Sequence, residues 1–216
     1  MQLKNNMFDI EDESCINYTK GFDNAEAFAK DFRKKYSLII GYHATKLNEL
    51  EKNSILTGGL KLSTRSFLKR KAIDRFIDAS DPIELKNKIL IDIDNYYNNN
   101  EVKEEINFNL YKNELIETSY QYLIFGPETI LTPADELSNK FNVSFRQRMI
   151  NFGQAYIIKA IIPVKHTRDI WVEDIYEYLV NDGLETNLIY HRNLPVKNIV
   201  KIEEVDEPAD VFGMPM

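Results

Sequence analysis

The sequence predicts an α+β fold, and three observations lead to it. Apolar runs of strand character stand early and late in the chain, at Leu38–Ile40 and Ala155–Val164. The stretch between them carries the i, i+3, i+4 spacing of amphipathic helices. Strands gathered towards both ends, with helices inserted between, do not alternate as βαβ units would. The 216 residues suffice for one sizeable core, and 44% hydrophobic and 12% aromatic content describe a chain that folds rather than one that stays disordered.

Asn24 or Asp23 is a good cap for a first helix that runs to Tyr36, with Ala25, Phe28, Ala29 and Phe32 on one face. Leu38–Ile40 follows as a strand buried on both sides. A short helix is expected over Lys46–Asn53, and Gly58-Gly59 supplies a turn before Leu60-Lys61-Leu62. Phe67, Leu68, Ile73, Phe76 and Ile77 mark one helix of the middle section. Ile83, Leu85, Ile89, Leu90, Ile93 and Tyr97 mark a second, which opens after Pro82 and breaks at the run Asn98-Asn99-Asn100. Glu101–Thr118 reads as a third helix and Gln121–Phe125 as a strand. Pro133-Ala134-Asp135-Glu136 opens a further short helix. Ala155–Val164 is the clearest strand, Trp171–Val180 reads as a helix, and Leu188–Tyr190 and Ile199–Ile202 read as closing strands.

Composition excludes several classes of function. The single cysteine, Cys15, allows neither an internal disulfide nor a thiolate metal cluster, and its acidic neighbours disfavour the thiolate. No paired His or Cys spacing suggests a metal. No apolar run approaches the ~20 residues of a membrane span, and the start of the chain lacks the features of a signal peptide. A cytoplasmic protein without a membrane partner is therefore expected. The net charge of −7 sets bulk electrostatics against nucleic acid.

The most informative stretch is Ser37–Thr64, where a strand runs into Tyr42-His43-Ala44-Thr45, a short helix follows, and Ile55 leads to Gly59-Leu60. It resembles the opening of the ADP-ribosyltransferase fold, in the PARP-like branch with a His-Tyr-Glu triad, whose first core strand carries a "YHGT" or "YHAT" element. The closing segment LPVKNIVKIEEV resembles the proline-marked turn and edge strand that end that fold. The resemblance implies a split mixed β-sheet core in a single domain, with an N-terminal acidic segment and helix (residues 1–36) and a helical insertion (residues 66–120). That insertion stands where the family has a G-x-Y element.

The resemblance also implies NAD as substrate. His43 would hold a ribose hydroxyl, with Tyr42, Thr45, Gly59, Ser63 and Arg65 contributing to the dinucleotide site. A carboxylate would stabilise the oxocarbenium-like ribose; Glu185, just before the strand Leu188–Tyr190, and Glu128, beside Gly126-Pro127, are both candidates. Tyr122 is the expected stacking tyrosine, with Tyr42 as its competitor. The implied reaction is transfer of ADP-ribose to a protein or nucleic-acid acceptor, as in bacterial toxins or phage-defence effectors, with a cognate antitoxin as candidate partner. The alternative is a non-catalytic module that binds nucleic acid or protein through the basic face of Lys61, Arg65, Lys69, Arg70, Lys71 and Arg75.

Overall fold

A computed structural model describes residues 6–181, 183 and 186–206. Among these residues the strands are β1 (Met7–Phe8), β2 (Leu38–Leu47), β3 (Ile106–Asn109), β4 (Gln154–Pro163), β5 (Asn187–Tyr190) and β6 (Ile199–Glu204). They form one mixed sheet in the order β5-β3-β2-β4-β6, antiparallel throughout except for β1, which pairs parallel with the start of β2. The helices are α1 (Glu13–Thr19), α2 (Ala25–Lys35), α3 (Glu49–Gly58), α4 (Arg65–Phe76), α5 (Ile83–Asn99), α6 (Lys112–Glu117), α7 (Gln121–Phe125), α8 (Glu128–Phe141), α9 (Phe145–Ile150) and α10 (Asp169–Val180). The α+β architecture expected from the sequence is present.

The spine of the sheet is β2 against β4, paired residue for residue from Leu38↔Pro163 to Leu47↔Gln154. This pairing carries β2 through Tyr42–Thr45, so His43 lies inside a strand and not at its end. The next helix consequently starts later than Lys46, at Glu49. Asn48 caps it by accepting from the Glu51 amide, while the Glu51 carboxylate accepts from the Asn48 amide.

Alternation along β2 sends its side chains to two different cores. Ile39 and Leu47 pack with β4 residues Ile158 and Ile162 and with Phe28 and Phe32 of α2. Ile40, Tyr42 and Ala44 pack with Ile157 and with Leu115 and Leu123 of α6 and α7. Asn24 caps α2, and Arg33 ties that helix across the molecule by donating to Asp169 and to the carbonyls of Val164 and Thr167.

Two further elements differ from the sequence expectation in type. The span Glu101–Thr118 is not one helix: Ile106, Phe108 and Leu110 alternate inward as β3 pairs with β5, and only Lys112–Glu117 is helical. Gln121–Phe125 is helical rather than extended. Its apolar residues are buried between the sheet and the helices beyond it, and an apolar run of that length has no period that separates strand from helix.

Helices α4, α5, α8 and α9 form a layer with its own core of Leu68, Phe76, Ile89, Ile93, Ile130 and Phe145. The helix expected to open at Pro133 starts five residues earlier, at Glu128, so Pro133 lies inside α8 and cannot donate to the carbonyl four residues earlier, that of Thr129. The buried hydroxyl of Tyr97 in α5 donates to that carbonyl at 3.0 Å. One bond thus completes α8 and fastens it to α5. Tyr97→Phe should therefore destabilise the protein by roughly 1–3 kcal/mol, the cost of a buried acceptor left unpaired. Urea unfolding measures this, and an unchanged midpoint would show that another donor serves the carbonyl.

Candidate functional site

Between the second half of β2, strand β3 and the helical layer lies a cleft of ≈ 1250 Å³. His43, Thr45, Gly59, Ser63, Tyr122 and Glu128 all line it, so six of the residues singled out in the sequence converge on one site. Tyr42 also borders it, but its hydroxyl donates to Glu11 at 3.1 Å and its ring lies beneath the Lys159 ammonium, on the opposite face of β2 from His43. Arg65 lies outside the cleft wall, exposed, with its guanidinium 3.5 Å from the Asn100 carbonyl. Glu185 lies outside the described residues; Asn187, two positions on, lines the cleft.

The protonation state of His43 follows from its partners. Its Nδ1 is 2.8 Å from the carbonyl of Asn107 on β3. A carbonyl only accepts, so Nδ1 carries the proton and Nε2 keeps a bare lone pair. Burial disfavours the charged ring; the bond to Asn107 opposes that effect, while the Lys71 charge reinforces it, and the pKa is pushed down to about 4. Nε2 has no partner among the described residues and is an acceptor for a ligand donor such as a hydroxyl.

Gly59 has a structural reason for being glycine. Its φ is +73°, and a Cβ there would meet the Leu194 carbonyl oxygen at 2.0 Å, where Leu60 bridges to Leu194. Tyr122 packs against the core formed by Tyr42, Ala44 and Leu115, and Glu128 is exposed in the first turn of α8. Tyr122 thus reaches the cleft from α7 and His43 from β2.

The sequence reading missed the buried charges of the cleft wall. Lys71 and Arg75, one helical turn apart on α4, are 8% and 3% exposed. Both face Glu51 of α3: Arg75 donates to its two oxygens at 3.2 Å each, and Lys71 Nζ is 3.7 Å from Oε1. Burial works against ionisation of Glu51, but the charges of Lys71 and Arg75, with the hydrogen bonds from Arg75 and the Asn48 amide, outweigh it and hold the carboxyl below its usual range. The signal in the sequence was two cations at i and i+4 within the apolar stripe Leu68, Ala72, Phe76.

A second polar group stands behind β3. Buried Asn109 donates to Glu114 at 2.5 Å, and the Thr186 hydroxyl lies 3.0 Å from Asn109 Oδ1 and 3.3 Å from Glu114. It fixes the polar end of β3 beside the start of β5. Among the described residues no cluster of His, Cys, Asp and Glu could hold a metal ion.

No protein-family model, curated protein or solved structure matches the chain. The functional reading therefore rests on the geometry of the cleft and the sequence resemblance. The first quantity to measure is the His43 titration. Its imidazole signals should shift with a midpoint near pH 4, followed by NMR. The folded pKa lies below the unfolded value, so the stabilising contribution of the neutral ring is complete above about pH 6.5 and is lost as pH falls through about 4. A midpoint at the ordinary value would show a solvated ring and remove the acceptor assignment.

Proposed function

We propose that this protein is an NAD-dependent ADP-ribosyltransferase-like enzyme, with the cleft at β2 as its NAD site. The observation that carries the reading is His43, fixed by Asn107 as a neutral acceptor in a cleft of ≈ 1250 Å³. That volume exceeds the roughly 300–1,000 Å³ of ordinary small-molecule sites and suits a dinucleotide. In this reading Nε2 accepts from a ribose hydroxyl and sets the sugar's orientation. The Tyr122 ring packs against the nicotinamide. Glu128 or Glu185 supplies the negative charge that stabilises the ribose as its bond to nicotinamide breaks. The acceptor is a protein or nucleic acid, which fits a toxin or antiviral effector restrained by a cognate antitoxin.

A binding module working through residues 61–75 is the poorer reading, because those cations do not share one surface. Lys71 and Arg75 are buried, and Lys69 is engaged by Asp94 and Asn98 of α5. No described helix is long and apolar enough to cross a membrane.

Purified protein incubated with NAD should release nicotinamide, measurable by chromatography. His43→Ala should lower the rate by roughly tenfold to a hundredfold, the range of one well-placed hydrogen bond in a desolvated site. Unaltered turnover in that variant would remove His43 from the mechanism. Glu128→Gln distinguishes the carboxylates: a loss comparable to that of His43→Ala assigns Glu128, and full activity leaves the role to Glu185.

A further inference from the structure

The strongest unassigned feature of the molecule is the pair of cations on α4 that share a single carboxylate. We propose that Lys71, held in the cleft wall by Glu51 and Arg75, is the seat of a phosphate group carried by a nucleotide-type ligand. Only the identity of the ligand rests on the reading of the cleft as an NAD site; the seat itself rests on the arrangement of charges.

Arg75 is already saturated. Its guanidinium donates to both Glu51 oxygens and to the carbonyls of Lys46 and Lys71, and it lies over the Phe152 ring at 4.2 Å. It is a positioning residue that fixes Glu51. Lys71 differs. Its Nζ has one counter-charge at 3.7 Å, beyond ordinary hydrogen-bond distance, and that carboxylate is already committed to Arg75 and the Asn48 amide. Nζ also lies over the Phe67 ring at 5.1 Å, and none of the three donors an ammonium carries has a hydrogen-bonded acceptor among the described residues. Those donors open onto the cleft, where an acceptor on a ligand can reach them.

The local charge balance indicates what that acceptor is. Two cations face one carboxylate, and the exposed Arg70, which also lines the cleft, adds positive charge at the rim. Other carboxylates, Asp74, Glu101, Glu105 and Glu128, also line the cleft, so the excess of positive charge is local to the Glu51 corner, where an anion can accept from Lys71. A phosphate group suits this better than a carboxylate, because it brings more charge and an acceptor geometry that can meet Lys71 and Arg70 together. His43 lines the same cleft as Lys71, so one nucleotide-type ligand can offer a sugar hydroxyl to the first and a phosphate to the second.

Titration offers a second handle. Burial and the charges of Arg75 and Arg70, opposed by Glu51, lower the Lys71 pKa to about 8. Lys71 thus loses its charge as pH rises through about 8, and phosphate affinity should fall with it.

Calorimetric titration of the full chain with ADP, inorganic pyrophosphate and adenosine decides the matter. ADP and pyrophosphate should bind, and ADP should bind more tightly than adenosine. Lys71→Met should weaken ADP roughly tenfold or more, as loss of a charge-assisted hydrogen bond does, and leave adenosine unchanged. Lys71→Arg should keep part of the affinity. From about pH 7 to about pH 9.5 wild-type affinity for ADP should decline, and Lys71→Met should show no such slope. Thermal unfolding checks that Lys71→Met is folded; Arg75 still pairs with Glu51 in that variant, so the carboxylate is not left without a counter-charge.

Equal binding of ADP by wild type and Lys71→Met, or ADP no tighter than adenosine in wild type, overturns the seat. An unchanged KM for NAD in Lys71→Met alongside normal nicotinamide release overturns the seat and leaves the transferase. Lys71-dependent ADP binding without any nicotinamide release does the reverse.

Discussion

Pairing Leu38–Leu47 with Gln154–Pro163 along their whole length imposes an orientation on every other part of the molecule. A strand has two faces, and a slip of one residue would exchange them. With this register, His43 is opposite Ile158 and shares a face with Thr45, while Tyr42 is opposite Lys159 and turns away. Strand β3 touches β2 only near Tyr42 and Asn109 before the two part. The parting opens the cleft, and the Asn107 carbonyl on β3 then falls where it can hold the His43 ring. The acceptor in the cleft is thus a product of sheet register as much as of the histidine itself.

Glu51 plays a comparable part on the helical side. One carboxylate completes the cap of α3, receives both arms of Arg75 and faces Lys71. A half-buried carboxylate with so many partners adds little to stability alone, since desolvation offsets much of the attraction. What it secures is position: α3 and α4 are locked together where they form one wall of the cleft. The packing of Gly59 beneath Leu194 anchors the far end of α3 to the loop before β6 in the same way.

Much of the fold could be read from the chain because local signals agreed with the final packing. Asn24 and the apolar face of α2, the proline-led start of α5 and the β-branched run of β4 all behave as their residues suggest. The failures have distinct causes. Thr45 and Lys46 are polar but buried, which disguised the second half of β2. The alternation Ile106, Phe108, Leu110 was present but enclosed by charged residues of helical character. In the site, the convergence of His43, Tyr122 and Glu128 was legible as a set of candidates. Lys71 and Arg75 were hidden within a charge run, because linear spacing does not say which cations turn inward until a partner such as Glu51 is placed.

The separate core of the helical layer has a consequence for how the chain reaches this state. All of its buried members lie between Leu68 and Met149, so it can condense from contacts within one continuous segment. The two central strands flank that segment and must close over everything from Asn48 to Gly153. A condensed layer shortens the effective span and lowers the entropic cost of bringing the strands together. On this argument the helices assemble first and the sheet zips last. The cleft between them, which belongs to neither part alone, takes its shape only at that final step.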